Sequence, residues 1–216
     1  MKKKQNSNLY ISLSMLLAFI LWTITVRFVD VNAIGPGGST VGFSSINAFI
    51  HKLIGVNMPL YNITDWLGLV PIFFALGFAF LGLAQWIKRK KLSKVDYSIF
   101  ILGGFYMTLI TAYILFEMFT VNYRPVLIEG ILETSYPSST TLLVIRVMST
   151  AIMQLKSRIK NSALKYFVSL LITIFIFFML IGRIISGVHW FTDIVGGVLL
   201  SISLVMMYRY LVSLKE

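Results

Sequence analysis

Long apolar stretches separated by short polar segments make up most of the chain. A helix that crosses a membrane needs about 20 mostly apolar residues, and six stretches reach or approach that length. They are Leu9–Val29, Trp66–Ile87, Tyr97–Phe119, Thr140–Leu155, Tyr166–Ile185 and Thr192–Leu211. The fourth is the shortest and contains Arg146, so hydropathy supports it least. The pattern predicts an all-α integral membrane protein with six transmembrane helices in a single domain, residues 1–216.

The segments around the first span have patterns of their own. Residues 32–40 are rich in Gly and Pro, which predicts a turn. Residues 41–54 place Phe43, Ile46 and Ile50 near one face, which predicts a short amphipathic helix at the membrane interface. The apolar run after the N-terminal lysines is longer than the roughly 7–15 residues of a signal peptide core, so we expect an uncleaved anchor.

Composition supports a membrane protein, and the charges predict its orientation. Hydrophobic residues make up 57% of the chain and charged residues 12%, whereas soluble domains carry about 25% charged residues. The net charge is +11, from 19 Lys and Arg against 8 Asp and Glu. If the N-terminus is cytoplasmic, cytoplasmic segments hold fourteen of the 19 basic residues and two of the acids. The positive-inside rule therefore predicts that both termini are cytoplasmic, and the charge does not indicate nucleic-acid binding.

The types of residue that are absent or rare exclude several chemistries. The chain has no cysteine, which excludes disulfides, thiolate metal sites and a cysteine nucleophile. Its two histidines, His51 and His189, argue against a His-rich metal site, so we expect neither a metal nor another cofactor. The lack of cysteine and the basic bias are typical of a protein of the bacterial plasma membrane. The sequence does not predict an oligomeric state.

Three polar segments, residues 122–125, 136–141 and 183–193, fall on the outer side of the predicted topology. In the third, His189 and Asp193 are four residues apart and face the same way if they lie on a helix. The carboxylate can then orient the imidazole and leave its other nitrogen free as a nucleophile or base. The alternative is an interfacial histidine, with Asp193 stabilising the start of a helix through its dipole.

Phosphate-binding groups are present in the same segments. Arg124 and Arg183 offer planar donor forks that match phosphate oxygens, although either arginine can instead reach lipid headgroups. Ser138 and Ser139 stand at a predicted helix start, which is suited to anion binding or to ordinary N-capping. One explanation covers all three segments, namely an outer-face site that binds a phosphate group and attacks it with the imidazole of His189.

These segments resemble the motifs of the type 2 phosphatidic acid phosphatase (PAP2) family of membrane lipid phosphatases, which are related to the vanadium haloperoxidases. The family pattern is K-x6-R-P, then P-S-G-H, then S-R-x5-H-x3-D. The chain keeps Arg124-Pro125, Pro137-Ser138 and the complete spacing of Arg183, His189 and Asp193. The resemblance also includes the six-span layout and implies a haloperoxidase-like helical core.

The resemblance implies a mechanism for the candidate residues. His189 would attack phosphorus and form a phosphohistidine, with Asp193 orienting its ring. The phosphate oxygens would be held by Arg124, Arg183, Ser138 and Ser139. No metal would be needed, because arginines and amide groups stabilise the developing charge. The substrate class would be a phosphorylated lipid, either phosphatidate-like or polyprenyl, taken from the surrounding bilayer.

Four positions depart from the family pattern. Glu117 stands where the family has lysine, Ser139 replaces glycine, Thr140 replaces the histidine that acts as general acid, and Gly182 replaces serine. Threonine cannot supply a proton near neutral pH, and loss of general acid catalysis costs about 10²–10⁴-fold in rate. Arg146 lies within the fourth predicted span, where a charge is costly, and we expect it either to pair with Glu117 or to be structural. Glu117, Thr140 and Arg146 are thus candidate modulators of the site.

These observations leave three functions open. The first is a membrane lipid phosphatase that hydrolyses a phosphomonoester or diphosphate at the outer face. The second is a catalytically impaired PAP2-like protein that binds or transports phosphorylated lipids. The third is a structural or accessory membrane protein, which predicts that Arg124, Arg183 and His189 lie apart in space.

Overall fold

A computed structural model describes residues 2–215, and this part of the chain forms eight α-helices. They are α1 (Lys2–Phe28), α2 (Ser44–Ile54), α3 (Met58–Leu67), α4 (Leu69–Arg89), α5 (Tyr97–Met118), α6 (Ser139–Arg158), α7 (Ser162–Ile185) and α8 (Phe191–Ser213). The described residues contain no β-strand, only isolated bridges such as Tyr123 with Thr134 in the segment between α5 and α6. The all-α prediction is therefore confirmed.

Five helical stretches are long and apolar enough to cross a membrane, so the chain is a multi-pass membrane protein. They are Gln5–Phe28, Met58–Arg89, Tyr97–Met118, Ser162–Ile185 and Phe191–Ser213. The fourth predicted span corresponds to α6, which has 20 residues but is too polar to join the five. The six-span count, the orientation of the termini and the single domain over residues 1–216 stay predictions.

The polar composition of α6 follows from its central position. This helix packs against α4, α5, α7 and α8, and its buried residues include Arg146, Thr150 and Gln154. Because protein surrounds α6, its side chains meet other side chains more than lipid, and hydropathy no longer marks it as a span. A helix at the centre of a bundle therefore has the weakest membrane signal in the sequence.

The helix α8 packs most extensively on α1 and also contacts α6. Gly196 on α8 allows the segment before α6 to approach closely, because a Cβ at this position would lie 2.8 Å from the ring of Tyr136. Tyr136 is itself buried, and its hydroxyl lies 2.7 Å from Thr23 Oγ1 on α1. This packing fixes the loop that leads into α6 against the start of α8, where the candidate histidine lies.

Two short helices precede α4. The first, α2, lies within the segment predicted to be amphipathic, and its position at the membrane interface stays a prediction. The second, α3, was not anticipated from hydropathy, although its start carries ordinary signals. Asn57 accepts a hydrogen bond from Leu60 N at 3.0 Å, and Pro59 follows in the first turn. Gly68 keeps a right-handed helical conformation between α3 and α4, so the two helices form a nearly continuous rod.

Candidate active site

The loop between α7 and α8 presents His189. Gly187 in this loop has φ +65°, and a Cβ there would lie 1.9 Å from Gly55 O, so a glycine is required. Trp190 anchors the other side of the loop, because its indole Nε1 donates to Tyr123 O at 2.7 Å. The loop is thus anchored on both sides of His189, whose side chain is only 1% exposed.

Asp193 lies beside both the start of α8 and His189. Its Oδ2 accepts a hydrogen bond from Trp190 N at 3.0 Å, which caps the N-terminus of α8. The same Oδ2 lies 3.9 Å from His189 Nδ1, and Asn122 Nδ2 donates to Oδ1 at 3.1 Å. The sequence left two alternative roles for Asp193, to stabilise the start of a helix or to orient His189, and the geometry is compatible with both.

Arg124 lies on the opposite side of the imidazole from Asp193. Its Nη1 is 3.5 Å from His189 Nε2, and its Nε is 2.9 Å from Glu133 Oε2. A guanidinium is always a donor, so Nε2 faces it as the unprotonated nitrogen of the ring. The proton of the neutral imidazole then lies on Nδ1, toward Asp193, and the lone pair of Nε2 faces Arg124.

Burial, together with the positive charges of Arg124 and Arg183, holds the pKa of His189 well below its ordinary value. The ring is therefore neutral at pH 7. A neutral imidazole is the form that acts as a nucleophile. Burial and the two arginines thus keep the ring unprotonated.

Arg183, which is 1% exposed, is held by α3 and α6. Its Nη2 donates to Thr140 Oγ1 at 2.7 Å and lies 3.5 Å from Asp65 Oδ1, while Nη1 donates to Thr64 Oγ1 at 3.3 Å. The guanidinium also lies 5.0 Å from the ring centroid of Tyr61, and the guanidinium of Arg124 lies 5.8 Å from the same centroid. Arg183 therefore reaches the site through Thr140, the position at which the family has histidine.

The start of α6 also faces the site. Ser139 and Thr140 are its first residues, and amides of the first helical turn have no partner within the helix. Ser138 was expected to hold phosphate oxygens, but it does not line the cavity described below. It is fully buried, its N–H donates to Asp193 O at 3.0 Å, and its Oγ accepts from Thr141 Oγ1 at 3.0 Å. Ser138 thus caps α6 and joins it to α8.

A cavity of about 550 Å³ joins these groups to an apolar channel. Its polar end contains His189, Arg124, Ser139, Thr140 and three carboxylates. Its apolar part is lined by residues of α4, α5 and α6, namely Leu69, Ile72, Leu109, Ile110, Tyr113, Phe116, Leu142 and Leu143. Four of these, Leu69, Ile72, Ile110 and Tyr113, are exposed on the surface of the bundle. The cavity therefore opens sideways between α4 and α5.

The predicted pairing of Arg146 with Glu117 is wrong. Glu117 lines the cavity and accepts a hydrogen bond from Thr134 Oγ1 at 2.7 Å. Arg146 is completely buried and donates to Phe105 O and Thr108 Oγ1, with its guanidinium 5.1 Å from the Phe105 ring. Thr108 and Glu117 are nine residues apart on α5, about 13 Å along the helix. Arg146 therefore meets α5 too far from Glu117 to pair with it.

Several residues of the site were missed in the sequence. Three lie on α3, which hydropathy did not reveal, and the others lie in the segment between α5 and α6. They are Tyr61, Thr64, Asp65, Asn122 and Glu133. Asn122 lies two residues before Arg124, within a segment already recognised as polar, and this position in the sequence could have identified it. For the residues on α3, the helix-start residues Asn57 and Pro59 could have revealed the helix.

The third function predicted that Arg124, Arg183 and His189 lie apart, and the structure instead brings them together. Arg124 and His189 line one cavity, and Arg183 binds Thr140 at its wall. Within residues 2–215, no group of three or more His, Asp or Glu side chains is close enough to hold a metal ion. The site thus brings together arginines, carboxylates, the start of α6 and an imidazole.

Comparisons with known proteins agree with this geometry. Residues 117–215 match the family model of the PAP2 superfamily, which confirms the resemblance. The fold is similar to the crystal structure of a transmembrane PAP2-type phosphatidylglycerolphosphate phosphatase from Bacillus subtilis. The TM-score is 0.64 at 19% sequence identity, over 93% of this chain and 94% of the other. No curated protein sequence matches the chain.

Proposed function

We propose that this protein is a membrane lipid phosphatase that hydrolyses a phosphomonoester or diphosphate of a lipid through a phosphohistidine at His189. The observation that carries the proposal is the single cavity, which joins the ring of His189 to an apolar channel open toward lipid. The match of residues 117–215 to the PAP2 superfamily supports the same chemistry. In the topology that the basic residues predict, this site faces the outside of the cell.

The apolar channel suits a lipid chain. Leu109 and Glu117 mark its two ends on α5, eight residues or about 12 Å apart. A substrate can enter between α4 and α5 with its chain beside the exposed Ile110 and Tyr113 and its phosphate at the polar end. Entry from the side lets the chain remain in an apolar environment throughout binding, which avoids exposing it to water.

The first chemical step is attack of His189 Nε2 on phosphorus. The N–P bond forms, the bond between phosphorus and the leaving oxygen (the alcohol oxygen of a monoester or the bridging oxygen of a diphosphate) breaks, the leaving oxygen keeps the electron pair, and the ring becomes positively charged. Asp193, 3.9 Å from Nδ1 before reaction, is placed to stabilise that charge, and such contacts tighten in the reacting complex. Water then hydrolyses the phosphohistidine and releases phosphate.

Charge on the transferring phosphoryl group is balanced by groups already in place. Arg124 faces the cavity beside Nε2, and the first amides of α6, at Ser139 and Thr140, line the same wall. Preorganised donors of this kind account for about 10²–10³-fold each in rate. With these donors present, the proposed reaction uses no metal and no other cofactor.

Protonation of the leaving oxygen is the weak point of the site. Thr140 Oγ1 accepts a hydrogen bond from Arg183, so its own hydrogen is free to bond the leaving oxygen. That bond polarises the oxygen but transfers no proton near neutral pH, and the expected deficit is about 10²–10⁴-fold. The deficit is smaller for a substrate whose leaving group is already stable as an anion, such as the lipid monophosphate that departs when the terminal phosphorus of a diphosphate is attacked.

Phosphate release from purified protein tests this proposal. Lipid phosphates and polyprenyl diphosphates are incubated with wild type and with His189→Ala, after both have been matched for monodispersity and thermal stability. We expect release by wild type and loss of at least about 10³-fold in His189→Ala, since removing a nucleophile leaves only binding effects. Equal, background-level release by the two proteins would refute the enzymatic proposal.

A second function, binding or transport of phosphorylated lipids without turnover, is favoured by Thr140 and Glu117. These residues stand where the family has its general acid and a phosphate-binding lysine. The double substitution Glu117→Lys with Thr140→His restores both groups. A large gain of activity from a silent parent would support the binder, whereas robust turnover by the wild-type protein would exclude it.

A further inference from the structure

A second histidine, His51 on α2, contacts the loop that carries His189. Its Nε2 lies 3.1 Å from Gly187 O, two residues before His189 in the chain. A carbonyl oxygen only accepts hydrogen bonds, so Nε2 of His51 carries a proton and donates. Gly187 is buried, and its carbonyl has no other hydrogen-bond partner within residues 2–215. The bond from His51 therefore satisfies an acceptor that is withdrawn from solvent.

Asn47 bonds the other end of the same loop. It lies one turn before His51 on α2, so the two side chains share a face of the helix. Its Nδ2 donates to Thr192 Oγ1 at 2.9 Å, and its Oδ1 accepts from Thr192 N at 3.3 Å. That N–H belongs to the first turn of α8 and has no partner within the helix. The polar face of α2 thus fixes the loop at Gly187 and at Thr192, with His189 between them.

The surroundings of His51 leave this loop little freedom. The ring of His51 lies 5.4 Å from the ring of Trp190, measured between centroids. Just after α2, Asn57 N donates to Ser186 O at 3.0 Å. Two successive carbonyls, those of Ser186 and Gly187, are therefore bound by α2 and the segment that follows it. His51 itself does not line the cavity, so it contacts the loop and not the substrate.

We propose that His51 is a positioning residue for the reaction, and that its hydrogen bond to Gly187 O holds His189 Nε2 in place for attack on phosphorus. This inference rests on the proposed function of the site. The distance of 3.9 Å between His189 Nδ1 and Asp193 Oδ2 has to shorten as the ring becomes charged. A loop fixed at Gly187 keeps the ring close to that geometry before the substrate arrives.

Loss of this bond should affect the chemical step more than binding. Without the donor, the buried carbonyl of Gly187 is unpaired, and the loop has to shift to reach another donor. A displacement of about 1 Å in a reacting group can lower the rate by about 10²-fold. Arg124 and the first residues of α6 lie on other segments and would still bind the phosphate. The proposal therefore predicts a fall in kcat at nearly constant KM.

Two amide substitutions at one position test the proposal. Glutamine places its N–H donor about where histidine has Nε2, whereas asparagine is shorter and places its donor near Nδ1, out of reach of Gly187 O. Phosphate release is measured with phosphatidate and with farnesyl diphosphate. We expect His51→Asn to lower kcat at least about tenfold with KM within about twofold, and His51→Gln to stay within about threefold of wild type. Ala48→Asn, at an exposed position of α2, is the matched control and should leave both constants unchanged.

The outcomes separate this inference from the proposed function. Equal kcat in wild type and His51→Asn overturns the positioning role and leaves the phosphatase standing. Equal losses in His51→Asn and His51→Gln also overturn it, because the histidine then acts through its shape and not through its donor. Thermal unfolding of every variant is measured in the same detergent, and a loss of kcat that only follows the loss of folded protein overturns the inference as well.

Binding of inorganic vanadate extends the test to a protein without turnover. Vanadate accepts a fifth ligand, so tight binding requires His189 Nε2 in the position for attack. As a transition-state analogue, vanadate should bind His51→Asn at least about fivefold more weakly than wild type, and His51→Gln about as tightly. If wild type releases no phosphate, this pattern supports the positioning role while the proposed function fails. Equal vanadate binding by wild type and His51→Asn, or no binding by wild type, overturns the positioning role.

Discussion

Two arginines are buried almost completely in this bundle, and their surroundings differ in one decisive respect. Arg183 on α7 has a carboxylate, Asp65, and two hydroxyls as partners, and it contacts the wall of the cavity through Thr140. Arg146 on α6 has only a backbone carbonyl, one hydroxyl and an aromatic ring, and it lines no part of that cavity. Burial alone does not separate a functional arginine from a structural one.

The comparison indicates which of the two buried positive charges can act on a ligand. The positive charge of Arg183 extends to a space that a ligand can occupy, so its burial strengthens its effect on that ligand. The charge of Arg146 is satisfied by α5 and joins α6 to its neighbour. Intramembrane charge indicates function by default, and the adjoining cavity is the additional observation that supports a functional role for Arg183 over Arg146.

The largest expected effect is on activity. Arg183→Met should lower kcat/KM for the preferred lipid by about 10²–10³-fold, the cost of losing one preorganised donor. Arg146→Met, an identical change in another buried site, should stay within about twofold of wild type. Initial rates at several substrate concentrations make the comparison, and equal losses in both variants would show that the cavity does not distinguish the two arginines.

A second effect concerns pH. Because burial and the two arginines lower the pKa of His189, the neutral nucleophile persists below pH 6.5. Activity should therefore fall less between pH 7.5 and pH 5.5 than the about tenfold that a histidine with its ordinary pKa of about 6.5 would lose. Arg183→Met should move the acidic limb of the kcat/KM profile toward 6.5, and Arg146→Met should leave it in place.

Stability follows the same pKa shift. A histidine held neutral in the folded state stabilises the protein fully above the unfolded pKa of about 6.5. That contribution is lost as the pH falls from there toward the lowered folded-state pKa. Thermal unfolding between pH 7.5 and 5 should therefore show a decline that His189→Ala reduces. A pH-independent difference between the two proteins would contradict the lowered pKa.

The smallest effect is the contribution of Thr108 to Arg146. Thr108→Val keeps the shape of the side chain and removes one acceptor from a buried guanidinium, at a cost of about 1–3 kcal/mol. Thr64→Val makes the same change at Arg183, which keeps Asp65 and Thr140 as partners, so we expect a loss nearer about 1 kcal/mol. Denaturation midpoints in one detergent give the two values, and a larger loss at Thr64 would reverse the assignment.

The sequence predicted most of what depends on local pattern. The apolar stretches found the long helices, and the spacing of Arg183, His189 and Asp193 identified three residues that the structure brings together. The segment predicted to be amphipathic, residues 41–54, contains α2, because its apolar positions recur at helical spacing. The remaining errors arose where the outcome depends on packing between distant segments.

Three examples give the physical reason. The direction in which Arg146 points depends on how α6 rotates against α5, which a single sequence does not specify. Asp65 enters the site because α3 packs beside α7, where Gly182 leaves room: a Cβ at Gly182 would lie 2.7 Å from Thr64. Ser138 was assigned to the phosphate because helix starts bind anions, and its N–H is instead taken by a carbonyl of α8.

The rod formed by α3 and α4 has a consequence for where the reaction takes place. Its 32 residues extend about 48 Å, longer than a hydrocarbon core of about 30 Å. The 21 residues of α4 alone match that core, which puts Leu69 at one boundary and raises Asp65 one turn beyond it. We therefore expect the helix to hold the candidate site at headgroup depth. A thicker bilayer should then draw the site toward hydrocarbon and lower phosphate release.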